Sequence, residues 1–153
     1  MSFESLRTVL DENHIAASPS IAASATVSAA VALMKERNVD AVVAMDEGRF
    51  AGLFTARDVL TRVVASARDA ASTRVADALS GESPRVEVNT TVGQTLMLMN
   101  ERGCHHVAVS DNGKVLGVLS REDLSAWMIR NQQEQLDCAI RAVKSMGYSN
   151  RRG

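Results

Sequence analysis

Gly52-Leu53-Phe54-Thr55-Ala56-Arg57-Asp58 and Gly117-Val118-Leu119-Ser120-Arg121-Glu122-Asp123 follow one pattern: a glycine, two apolar residues, a hydroxyl residue, two variable residues and an aspartate. Gly52 to Gly117, Thr55 to Ser120 and Asp58 to Asp123 each span 65 positions. Each stretch closes an apolar run that reads as a strand and opens a run that reads as a helix. A hydroxyl and a carboxylate are thus presented at two helix N-termini, one in each half of the chain.

The same offset carries outward without a gap. Ser18 falls on Ser83, Pro19 on Pro84, Thr26 on Thr91, Met34 on Met99, Glu36-Arg37 on Glu101-Arg102, and Gly48 on Gly113. An internal match of this length means a duplicated unit whose copies bury a common face. In the first copy Ile21 opens a short strand, and Thr26 caps a helix with Val27, Ala30, Val31 and Met34 on one stripe, stopped by Asn38. Ala41 to Met45 and Phe50 to Phe54 form a hairpin around Asp46-Glu47-Gly48-Arg49, and the next helix carries Val59, Leu60, Val63 and Val64. In the second copy Thr91 caps a helix with Val92, Leu96 and Met99. Asp111-Asn112-Gly113-Lys114 turns between Val107–Val109 and Val115–Leu119, and the last helix of the repeat carries Leu124, Trp127 and Met128.

The remaining segments frame these copies. Phe3, Leu6, Val9 and Leu10 predict a short amphipathic helix before the first. Ser66 to Ser72 is the connection, and Thr73 to Leu79 is a short helix ended by Gly81 and Pro84. Beyond Arg130, the stripe Leu136, Ala139, Ile140 and Val143 predicts a C-terminal helix ended by Gly147. It either covers the two halves or meets a second subunit. The expected division is 1–68, 69–130 and 131–153. Val-rich strands alternating with helices predict an α/β architecture of two small sheets back to back, with Met97-Leu98-Met99 as core packing.

Composition narrows the function. The chain has 153 residues, formal charge −1 and only 3% aromatic residues, which argues against a nucleic-acid surface. Cys104 and Cys138 are far apart and read as reduced thiols of a cytoplasmic protein. No apolar run approaches the roughly 20 residues that span a bilayer, so no membrane partner is expected. No nucleophile, paired catalytic acids or metal set stands out, and no enzyme activity is expected. His105 and His106 lack further ligands at metal spacing, and neighbours on a strand point to opposite faces.

The corners admit two readings. A hydroxyl followed three residues later by an acid is a capping box, worth about 1 kcal/mol without any ligand. Two copies, each after a glycine and a strand, also suit a nucleotide. Hydroxyl and free helix amides can meet a phosphate, and the carboxylate can meet a ribose diol. Arg57 and Arg121 sit inside the corners, where each either reaches phosphate or faces solvent.

The repeat with its Gly-x-x-Ser/Thr-x-x-Asp signature resembles a tandem cystathionine-β-synthase (CBS) domain pair, the Bateman module, over about residues 5 to 130. The resemblance implies two pseudo-symmetric β-α-β-β-α repeats with a C-terminal helix, as in small stand-alone bacterial members. It implies an adenosyl ligand (AMP, ADP, ATP or NAD, and in some members S-adenosylmethionine) in the cleft between repeats. It assigns the ribose hydroxyls to Asp58 and Asp123 and the phosphate surroundings to Thr55 and Ser120. It adds the positions before the first hairpin strand, here Asp40-Ala41 and His105-His106. Bacterial members often have Arg-His and a proline two places on, whereas this chain has His105-His106-Val107-Ala108. Asp40 would repel an anion, so unequal sites are expected, with phosphate favouring His105 and His106. The function implied is a regulatory, adenine-nucleotide-sensing homodimer, with Leu60, Val63 and Val64 or Leu124, Trp127 and Met128 as pairing stripes and a protein partner downstream. The competing class is a ligand-free dimerisation or scaffolding module.

Overall fold

The computed structural model describes residues 3–12, 18–81 and 83–146. Its elements run α1 (Leu6–Glu12), β1 (Ser20–Ala22), α2 (Val27–Arg37), β2 (Ala41–Asp46), β3 (Arg49–Thr55), α3 (Ala56–Asp58), a π-helical stretch (Val59–Val64), α4 (Val75–Ala78), β4 (Arg85–Glu87), α5 (Val92–Arg102), β5 (His106–Asp111), β6 (Lys114–Ser120) and α6 (Arg121–Ser145). Two three-stranded sheets result, β1-β2-β3 and β4-β5-β6, each with a parallel first pair and an antiparallel hairpin.

The duplication read from sequence extends to backbone detail. Both hairpins carry a bulge, between Ala44 and Met45 and between Val109 and Ser110. Both turns hold two residues at positive φ, Glu47 with Gly48 (49° and 77°) and Asn112 with Gly113 (49° and 82°). That is the twist a two-residue hairpin needs, and Asn-Gly adopts it at little cost. Thr26 and Thr91 cap α2 and α5 as expected, and Asn38 ends α2 in a left-handed conformation. Gln94 adds a reciprocal bond at α5 that the sequence reading did not include.

Three apolar groups hold the fold. One lies between α2, β2, β3 and α4, a second between α1, β4, α5, β5, β6 and α6, and a third (Val43, Leu53 and Ala108) joins the faces of the two sheets. Order along the chain and core membership do not coincide. α1 precedes the first sheet but buries Leu6 and Val9 in the second group, with Leu6 N and Arg7 N donating to Thr90 O and Val88 O. α4 precedes the second sheet but buries Val75 and Ala78 in the first, with Val75 N donating to Ala25 O. The halves therefore exchange their leading helices. Trp127 clamps one exchange through Nε1–H to Glu12 Oε2 at 2.6 Å.

Several expectations are corrected. Phe3 is exposed and α1 begins only at Leu6. Leu124 and Trp127 are core residues, so that stripe is not a pairing face. The helix after the first corner is π-helical, with Ala65 N bonding Leu60 O, and it buries Val63 while exposing Leu60 and Val64. Its β-branched residues crowd a regular α-turn. Of Met97-Leu98-Met99, Met99 is fully buried and Met97 is exposed. α6 runs without a break past Arg130 to Ser145, about 38 Å at 1.5 Å per residue. Gly147, the expected stop, lies outside the described residues. No helix among the described residues is long and apolar enough to cross a membrane.

Candidate functional site

The two corners begin alike. Thr55 ends β3 in extended backbone, its Oγ1 accepts from Asp58 N at 3.2 Å, and Asp58 Oδ2 accepts from Thr55 N at 3.0 Å. Ser120 Oγ accepts from Asp123 N at 3.0 Å, and Asp123 Oδ2 accepts from Ser120 N at 2.9 Å. The next residue is fixed to the preceding strand start in both copies: Ala56 N donates to Asp40 O and Arg121 N to His105 O, both at 2.9 Å. Capping is thus realised twice. Each carboxylate spends Oδ2 on it and keeps Oδ1 for another donor.

What faces the corners differs. A cavity of about 210 Å³ lies against the first, and Asp40, Thr55, Arg57, Asp58, His105 and His106 all line it. Ser120, Arg121 and Asp123 do not line this cavity. Asp58 is 3% exposed at its wall. His106 Nε2 lies 3.0 Å from Asp40 Oδ1, and since a carboxylate only accepts, that nitrogen carries the proton. His106 is buried and His105 exposed, as alternation at a strand start requires. The sequence reading separates Asp40 from the histidines as parts of unequal sites. The structure joins them, because β2 and β5 start side by side across the contact between sheets.

The two arginines also part. Arg57 is exposed on the cavity. Arg121 is drawn back toward the α5–β5 loop, where Nη2 donates to Cys104 O at 3.3 Å and the buried Nε has no partner among the described residues. The sequence reading missed Ser80, Ser83 and Glu122, which also line the cavity. A signal for Ser83 was present, since it matches Ser18 at the repeat offset. Ser18 Oγ accepts from Val118 N at 2.9 Å, tying the lead-in to β1 against β6.

Chemically the cavity offers a carboxylate oxygen and a hydroxyl beside two imidazoles and a guanidinium. The first two suit a vicinal diol, and the guanidinium and imidazole N–H groups suit a phosphate or carboxylate. Asp40 and Glu122 offset part of the positive charge. Among the described residues no three His, Cys, Asp or Glu side chains are grouped as a metal ion would need.

The family model for the CBS domain matches the chain twice, over residues 9–65 and 75–130. The chain is 29% identical over 128 residues to the mitochondrial CBS domain-containing protein CBSX3 of Arabidopsis thaliana, covering 80% of this chain and 62% of that protein. It superposes on a CBS-domain protein from Burkholderia ambifaria with a TM-score of 0.75 and 27% identity, over 84% of this chain and 96% of that one. It also superposes on PAE2072 from Pyrobaculum aerophilum, a CBS domain protein solved in complex with AMP. There the TM-score is 0.68 at 22% identity, over 78% of this chain and 89% of that one.

Proposed function

For a chain that belongs to the CBS-domain family, we propose that the first-corner cavity binds the ribose-phosphate part of an adenine nucleotide and that the bound state alters pairing of the chain with itself. Tandem CBS domains are generally regulatory and can bind adenosine ligands, as the AMP complex of PAE2072 illustrates. One observation carries the reading: the cavity gathers the diol acceptor Asp58 from one half and the anion-facing His105 and His106 from the other. In this reading Asp58 Oδ1 accepts from the ribose hydroxyls, Thr55 and the imidazoles face phosphate, and catalysis has no part. The occupied site is one per chain, at the first corner.

At about 210 Å³ the cavity falls below the roughly 300 Å³ at which sites for small ligands begin. A whole nucleotide therefore has to part the walls. Those walls belong to different halves, so entry shifts one half against the other. α6 receives that shift directly, because its first residue, Arg121, is hydrogen-bonded to His105 O. Farther along, Ile129, Leu136 and Val143 repeat at seven-residue spacing and are exposed, with Ile140 beside them. Such a seam suits a second copy of the same helix.

Thermal denaturation with AMP, ATP, NAD and S-adenosylmethionine tests the site. A ligand at 100 times its dissociation constant adds about 2.7 kcal/mol, and the stabilising ligand is expected to bind once per chain by calorimetry. No shift with any of the four, together with an unchanged oligomeric state, would favour the ligand-free scaffolding module.

A further inference from the structure

A second and larger cavity, about 820 Å³, lies between the tips of the two hairpins, at the opposite end of the sheets from the corners. Its floor is apolar, with Met45, Phe50 and Val115 among its residues, and its rim carries Arg49, Arg85 and Lys114. Among the described lining residues there is no carboxylate. None of the three cations has an ion-pair partner among the described residues. The acids nearest in sequence are otherwise placed: Glu87 accepts from Ser110 Oγ at 3.0 Å, and Asp111 pairs with Arg7 at 2.9 Å. Asp46 ends β2 opposite Arg49 and Glu47 stands in the turn, and neither lines the cavity.

The placement follows from the duplication. Gly48-Arg49-Phe50 and Gly113-Lys114-Val115 are equivalent positions, each putting a cation and an apolar residue directly after a turn glycine. Stacking the sheets brings both tips to one cavity. Arg85, at the start of β4, adds a third charge with its guanidinium carbon 5.5 Å from the centroid of the Phe50 ring. A guanidinium spread over a ring is held in place while its N–H groups stay available. An apolar floor with a few converging polar groups, at a volume between roughly 300 and 1,000 Å³, is what small-molecule sites share.

We propose that this cavity is a ligand site separate from the first corner, taking an organic anion with a flat apolar body: the ring lies on Met45, Phe50 and Val115, and the anionic group meets Arg49, Arg85 and Lys114. The probe is 1-naphthyl phosphate, with uncharged 1-naphthol as its control, titrated by calorimetry and by the methyl NMR signal of Met45. The phosphate is expected to saturate one site and to shift Met45, with 1-naphthol at least about tenfold weaker, as befits loss of charge-assisted bonds. Arg85→Glu and Lys114→Glu should each weaken the phosphate at least about tenfold. Asp58→Asn, which alters only the corner cavity, should leave it unchanged. Equal binding of the two naphthyl compounds, indifference to both charge reversals, or loss with Asp58→Asn would each overturn the proposal. Both reversals are at exposed positions, and retained circular dichroism and melting temperature confirm folding in each. Because AMP acts at the corner, failure of AMP binding leaves this titration readable, and the reverse holds.

Discussion

Asp58 has two duties, a cap and a ligand acceptor, and two substitutions separate them. Ala removes the acceptor of Thr55 N, a bond of 3.0 Å beside a carboxylate only 3% exposed. Loss of a cap costs about 1 kcal/mol, and a buried amide left without a partner costs about 1–3 kcal/mol. The two overlap, so Asp58→Ala is expected to destabilise by ~2 kcal/mol. Asp123 makes the same bond but is partly exposed, so water can replace it and Asp123→Ala should cost ~1 kcal/mol. At about 2–4 °C per kcal/mol for a chain of this size, the melting temperature falls by roughly 4–8 °C and 2–4 °C respectively. Asn at 58 keeps an oxygen for Thr55 N and loses only the charge, so its apo stability should fall less than that of Asp58→Ala. Thermal denaturation with and without saturating AMP then reads the second duty. The parent and Asp123→Ala should gain about 2.7 kcal/mol at 100 times the dissociation constant, while Asp58→Ala and Asp58→Asn should gain little. An Asp58→Asn protein with the full AMP response would reduce the carboxylate to a cap, and loss of the response in Asp123→Ala would place the ligand elsewhere.

Asp40→Asn keeps an acceptor for His106 Nε2 and removes a negative charge from the cavity. The Asp40 side chain is 71% exposed, so stability should barely move, whereas calorimetry should show AMP binding tighter by about fivefold, on the order of 1 kcal/mol. Leu6→Ala deletes a fully buried side chain contributed by α1 to the second half. It should cost about 2–5 kcal/mol in chemical denaturation and release the Trp127 clamp, seen as a red shift in its fluorescence. Ile129→Ser with Leu136→Ser and Val143→Ser touches no buried position. Sedimentation should then show a monomer while the thermal response to AMP persists, and an unchanged association state would remove α6 as the pairing seam.

What the sequence made legible is local. Caps at Thr26, Thr91, Thr55 and Ser120, the Asn112-Gly113 turn and the stop at Asn38 are each settled within about four residues, and all appear in the structure. What it hid depends on contacts far apart in the chain. Helical spacing marks Leu6 and Val9 as buried but not which half buries them, and only the bonds to Val88 and Thr90 decide that. Apolar stripes likewise look the same whether they face a core or a partner. Leu124 and Trp127 proved to be core, and Ile129 and Leu136 exposed. At the candidate site, Thr55, Arg57 and Asp58 of the cavity lining were readable as corner residues from the repeat. The pairing of Asp40 with His106, 66 positions apart, was not.

The asymmetry of the two corners follows from the same division. Their backbones agree because a capping box and one strand-to-corner hydrogen bond define each of them, and both are repeated in the duplication. Their surroundings disagree because four side chains differ at equivalent places. Asp40 stands opposite His105, Ala41 opposite His106, Ala56 opposite Arg121 and Arg57 opposite Glu122. The substitutions do not act independently. Both histidines come from the second strand start and line the cavity at the first corner, together with Arg57. Arg121 meanwhile turns away to Cys104 O. A duplicated scaffold thus yields one corner with an acceptor, a hydroxyl and three cationic or imidazole groups gathered together. Its counterpart repeats the capping box of Ser120 and Asp123. The fold sets where residues of both halves meet, and those four positions set which side chains meet there.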